Sequence, residues 1–178
     1  MIRHSNNTSE SWSKLPWKKF RRNLFRLQVR LYKAVKAGDM RKARSLQKLI
    51  LKSKTARLLA IRQVTPIHDG NKTAGVDGKA SLNFEERFQL EKHLKTHFLN
   101  WHHSKLRQIP IPKKDGKTRI LKVPTIADRA WQCLVKYALE PACALQLSTQ
   151  GATDLERDAQ HTMRRSNCSI IYAPASTE

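Results

Sequence analysis

The sequence has 178 residues, about one domain's worth of chain. Lys and Arg number 35 against 14 Asp and Glu, a net charge of +21, which excludes an enzyme with an acidic surface and points to a polyanionic partner, nucleic acid first. An apolar fraction of 39% with four Trp excludes a wholly disordered basic tail, which would bury too little to offset chain entropy.

The charge is front-loaded. Residues 1–64 carry 18 Lys/Arg against Glu10 and Asp39, whereas residues 142–178 carry three against four acids. Residues 1–13 are polar and read as a disordered N-terminus. From there Trp17, Phe20, Leu24, Leu27, Leu31 and Ala34 recur at steps of three and four, one apolar stripe on a helix. Lys18, Lys19, Arg22, Arg26 and Arg30 take the other faces. Gly38 reads as the residue that closes this helix and Asp39 as the cap of the next. A second helix is expected over 40–62, with Ala43, Leu46, Ile50 and Leu58 inward and Arg41, Arg44, Lys48, Lys52 and Arg57 outward. Residues 14–65 thus form a basic helical hairpin. Lysine and arginine on a solvated helix face are ordinary, but so large an excess with so few compensating acids favours RNA or DNA binding.

Residues 66–80 form a loop by composition, with Asp69-Gly70-Asn71 and Ala74-Gly75-Val76-Asp77-Gly78. Asn83 with Glu86 three residues on is a capping-box signature for a third helix, whose apolar positions include Phe84, Phe88, Leu94 and Phe98. His93 and His97 stand at i and i+4, a spacing that can hold a metal, but neither the intervening Glu of zincins nor a nearby Cys is present. They read as surface histidines. Beyond Leu106 the period falls to two: residues 107–112 and 118–123 flank Asp115-Gly116, a β-hairpin whose prolines suit an edge strand. Lys113, Lys117 and Arg119 lie at its tip. Cations on a stiff hairpin suit phosphates, and lysines on an edge also keep it from aggregating. Thr125 and Asp128 cap a fourth helix, with Trp131, Leu134, Val135, Ala138 and Leu139 inward and Pro141 as its expected end. Cys133, Cys143 and Cys168 show no paired spacing, so neither a disulfide framework nor a thiolate zinc site is expected. No apolar run approaches the roughly 20 residues that cross a bilayer, so no membrane partner is expected.

Arg107-Gln-Ile-Pro-Ile-Pro-Lys-Lys-Asp-Gly-Lys-Thr-Arg119, Val123-Pro-Thr-Ile-Ala-Asp-Arg129 and Ala138-Leu-Glu-Pro141 resemble the first conserved block of group II intron reverse transcriptases, or maturases. Leu46-Gln-Lys-Leu-Ile50, Ala60-Ile-Arg-Gln-Val64 and Ala74-Gly-Val-Asp-Gly78 resemble the family's N-terminal extension and first loop. Lys122 stands where the family usually has glycine. The resemblance, over residues 14–141, implies an α+β, mostly α fold. A basic helical extension precedes a partial fingers region (66–141) of a right-hand polymerase, built as helix, β-hairpin and helix. It implies that Lys113 and Arg119 lie near the incoming nucleotide's triphosphate, with Lys117, Arg107 and Arg129 as phosphate-facing or structural companions. It also implies group II intron RNA as partner, DNA as a second, and a bacterial cytoplasm or an organellar matrix or stroma as location.

The family's catalytic aspartates sit in a palm and hold Mg²⁺, and the chain contains no Asp-Asp pair. No cofactor, metal or enzymatic activity is therefore expected of this fragment, and apolar surface left by a missing palm would favour self-association. Residues 142–178 do not continue the family. Reading the third base of each codon with the first two of the next, from Gly151/Ala152 to Met163/Arg164, permits the family's missing Ser-Tyr-Gly-Phe-Arg…Gly-Arg…His-Asp-Ala block. A frameshift near residues 149–151 is the expectation, leaving a disordered tail in which Asp154, Glu156 and Asp158 are not metal ligands. The alternative is a stand-alone basic nucleic-acid-binding module without intron specificity.

Overall fold

A computed structural model describes residues 11–65, 73–113 and 116–149. The expectations for residues 1–10, Lys114, Asp115 and the tail 150–178 lie outside the described residues. Among the described residues, after a helical turn at 11–13, five helices and one hairpin follow in order: α1 Trp17–Lys36, α2 Met40–Lys52, α3 Lys54–Val64, α4 Phe84–His97, β1 Arg107–Pro112, β2 Thr118–Val123 and α5 Ile126–Thr149. The chain is mostly helical with a two-stranded antiparallel hairpin.

Helices α1, α2 and α3 pack on α5, and α4 packs on α3. One core joins Leu24, Leu31, Ala34, Leu46, Ile50, Leu59 and Leu134; a second joins Trp12, Leu58, Ile61, Leu90, Leu94, Ile126 and Ala130, with Trp17, Phe20 and Val64 touching both. The expected α1 stripe is therefore the stripe that packs. At the α1–α2 corner Gly38 takes φ 73°, a conformation that suits glycine, and the Asp39 carboxylate accepts from the Lys42 N–H at 2.9 Å. Asn83 and Glu86 complete a reciprocal capping box at α4.

Three boundaries differ from the sequence reading. Packing starts before residue 14: Trp12 is 2% exposed, its ring 5.1 Å from Trp17 and 5.2 Å from Phe88. The helix expected over 40–62 is two helices, because Ser53 adopts ψ 122°, ending α2 and starting α3. The last helix does not stop at Pro141 but runs on to Thr149. Proline has no N–H for the carbonyl four residues back, which is that of Tyr137. Gln28 of α1 supplies the missing donor, its Nε2 lying 3.1 Å from the Tyr137 oxygen.

Arg57 is also misplaced by the sequence reading. It is 3% exposed, and its Nε and Nη2 both donate to Glu91 Oε1 at 2.9 and 2.8 Å. Its Nη1 donates to the Lys52 carbonyl at 2.7 Å, across the α2–α3 break. It clamps α4 to α3 and does not face solvent.

Candidate nucleic-acid interface

The surface of α1 and α2 is a cationic sheet of side chains. Lys18, Lys19, Arg22, Arg26 and Arg30 of α1 and Arg41, Arg44, Lys48 and Lys52 of α2 are all exposed, as the helical spacing predicts. Neither helix has an acid in its first turn, so Asp39 alone counters them at the corner. One feature is not legible from spacing. Arg62, near the end of α3, lies over the Trp17 ring at 4.5 Å, a cation–π contact. Partial burial, and next the nearby positive charge of Arg21, push its guanidinium pKa below the ordinary value. Arg21 of α1 and Arg62 of α3 thus extend the positive surface past the α1–α2 hairpin. The sequence shows Arg62 as a charge in the last turn of a helix, which no periodicity ties to Trp17.

The second cationic group is the hairpin. Its register pairs Arg107 with Val123, Ile109 with Leu121 and Ile111 with Arg119. The Lys113 N–H donates to the Lys117 carbonyl at 2.8 Å, continuing the pairing one step, and Gly116 turns at φ 71°. Because side chains alternate across a ribbon, Arg107, Lys113, Lys117 and Arg119 share one face with Ile109, Ile111 and Leu121. Lys113, Lys117 and Arg119 are exposed.

Arg107 and Arg129 act on the loop before α4. Arg107 Nη1 donates to the Ala74 carbonyl at 3.3 Å, while Arg129 Nη2 donates to that of Thr73 at 2.9 Å and its Nε to that of Pro124 at 3.1 Å. Gly75 fits because a Cβ there would lie 2.8 Å from the Thr125 Cα. The loop is thereby held against the start of α5, and the two arginines brace the base of the hairpin.

Asp128, 1% exposed, fixes the segment between α4 and β1. Its carboxylate accepts from Trp101 Nε1 at 2.8 Å, the Ser104 N–H at 3.2 Å and Thr125 Oγ1 at 2.8 Å, with His103 Nδ1 at 3.3 Å. The Trp101 ring that donates to it stacks on that of Trp131, 6.1 Å apart at 15°. The His93 and His97 rings lie 4.4 Å apart, tilted at 30°, and burial followed by the neighbouring His97 lowers the pKa of His93. No group of three or more His, Cys, Asp or Glu suited to a metal occurs among the described residues, nor does a helix long and apolar enough to cross a membrane.

Residues 12–94 match the family described as the N-terminal domain of reverse transcriptase, starting at the tryptophan that opens the packed region. The chain is 44% identical over 125 residues to Maturase-like protein 1 of Euglena gracilis, covering 70% of this chain and 27% of that protein. It is 40% identical over 141 residues to Maturase-like protein 1 of Euglena longa, covering 79% and 29%. To Protein YkfC of Escherichia coli it is 31% identical over 106 residues, covering 57% and 28%. The chain thus spans less than a third of the length of these relatives.

Proposed function

We propose that the chain, whose residues 12–94 match the family of reverse transcriptase N-terminal domains and which is 44% and 40% identical to two maturase-like proteins over 125 and 141 residues, is a group II intron maturase fragment that binds intron or template RNA and does not itself synthesise DNA. The observation that carries this reading is the exposed cationic surface of α1 and α2, extended by Arg21 and Arg62. In this reading residues 66–141 are the first part of the polymerase fingers. Lys113, Lys117 and Arg119, on one face of the hairpin, meet the phosphates of nucleotide or template, and Arg107 and Arg129 hold that face in place. The residues suit phosphate binding because, among the described residues, none of these exposed cations is held in an ion pair.

Polymerase chemistry needs carboxylates holding two divalent ions, and the chain has no Asp-Asp pair. Mg²⁺ therefore belongs with palm carboxylates that these 178 residues do not supply. A frameshift near residues 149–151 accounts for the tail, and the coding DNA tests it: a downstream frame must carry the second conserved block and an Asp-Asp palm. The setting would be a bacterial cytoplasm or an organellar matrix or stroma.

The test of function is binding of the full chain to a group II intron RNA and to an unstructured RNA of equal length across a salt series. A steep fall in affinity with salt and tighter binding to the intron support the reading, as does the lack of primer extension with Mg²⁺. Equal binding to both RNAs turns it into a stand-alone basic module, and DNA synthesis by the pure chain overturns it.

A further inference from the structure

The hairpin has two edges, and they are chemically unequal. Among the described residues its sheet has two strands. In an antiparallel pair, alternate residues exchange both backbone bonds while those between turn their N–H and C=O outward. The Lys113 N–H bonds to Lys117, so residues 107, 109, 111 and 113 form the bonded set. Pro110 and Pro112 occupy the outward set, where a missing donor costs the hairpin nothing. The outer edge of β1 therefore offers carbonyls but, between residues 109 and 113, no N–H. The outer edge of β2 is intact: Thr118, Ile120 and Lys122 each turn an N–H and a C=O away from β1.

Along that intact edge sit two exposed apolar side chains: Ile120 is 56% exposed and Leu121 37%. A two-stranded ribbon is marginal by itself, and this one is exposed along nearly its whole length. Flanking the apolar pair are Arg119 and Lys122, on opposite faces by register. We infer that the outer edge of β2 is a docking site for an extended strand of another polypeptide, with apolar residues opposite Ile120 and Leu121 and a carboxylate opposite Lys122, the face that carries Arg119 being left to phosphates. Backbone pairing supplies the affinity and the alternating side chains the choice of partner. A nucleic acid meets this edge less well: phosphodiesters accept from N–H groups but give no donor to the carbonyls, and they leave Ile120 and Leu121 uncovered. A second copy brings another +21 of charge to the same place.

The probe is the peptide acetyl-Val-Glu-Val-Val-Thr-Thr-Thr-amide, which in antiparallel alignment runs from Val123 to Lys117 and sets its Glu opposite Lys122. Added to the full chain, it is expected to slow hydrogen exchange at the amides of Thr118, Ile120 and Lys122. Ile120→Pro removes one outward donor, as Pro110 and Pro112 do on the other strand, and leaves the β1–β2 bonds in place. It should weaken peptide binding by at least about tenfold. Gln108→Pro, on the outer edge of β1, should leave binding within about twofold. Exchange protection at Ile109 and Ile111 in both variants reports that the hairpin is formed; should Ile120→Pro lose it, Ile120 carrying an N-methyl amide replaces that variant. No binding, or equal binding by the Ile120 and Gln108 variants, overturns the inference. Protection of these amides by RNA but not by the peptide assigns the edge to nucleic acid, and a dimer abolished by Ile120→Pro assigns it to a second copy; either also overturns it.

Discussion

In the helical part of the molecule, polar groups that go inside meet partners held by distant parts of the chain, whereas the hairpin leaves its polar and apolar groups at the surface. Arg57 meets Glu91, Asp128 gathers donors from residues 101–104 and from Thr125, and the Tyr137 carbonyl meets Gln28. Among described residues one buried side-chain atom, Arg87 Nη1, has no hydrogen-bond partner, and its guanidinium lies over the Trp12 and Phe84 rings. The hairpin has one buried residue, Val123 at its base. The difference teaches that the helices satisfy their buried polar groups against one another, whereas the hairpin keeps nearly all its side chains at the surface.

The contrast can be broken from the helical side first. Arg57→Met leaves Glu91 buried without its partner and is expected to destabilise the chain by about 3–5 kcal/mol, read as a lowered midpoint in urea. Replacing both partners with Met and Leu should recover most of that stability. Gln28→Leu strands the Tyr137 carbonyl and should cost about 1–3 kcal/mol, with amide exchange accelerating beyond Pro141 more than before it. Gly75→Ala drives a methyl into the Thr125 backbone, for about 1–3 kcal/mol, and should loosen the hairpin base, seen as faster exchange at Val123. The smallest effect on stability belongs to the exposed cations. Arg22→Gln and Arg26→Gln should shift stability by no more than about 0.5 kcal/mol, yet each should reduce the salt slope of RNA binding by about one for every phosphate the arginine neutralises. Unchanged slopes would move the RNA surface off α1.

Local signals were legible in the sequence. The α1 stripe, the Gly38–Asp39 corner, the Asn83–Glu86 box and the hairpin around Gly116 each rest on residues within one turn or one ladder of each other, and each is present in the structure. What spacing concealed were bonds between distant segments. Arg57 has the helical position of a solvent-facing cation until Glu91, 34 residues on, packs beside it. Pro141 ends a helix in isolation and continues it here because Gln28 takes over the abandoned carbonyl. Trp12 reads as part of a polar leader until Trp17 and Phe88 close around it. The cationic surface of α1 and α2 was legible, apart from Arg57; its extension through Arg62 depends on a ring that only the fold brings near.

The Gln28–Tyr137 bond ties the order of synthesis to the shape of the last helix. Its donor leaves the ribosome 109 residues ahead of its acceptor, so α1 has long been available when residues 137–141 emerge. The first helix thus waits with the donor that the proline lacks, and a chain deprived of its opening segment would leave the Tyr137 carbonyl bare where the last described helix passes Pro141.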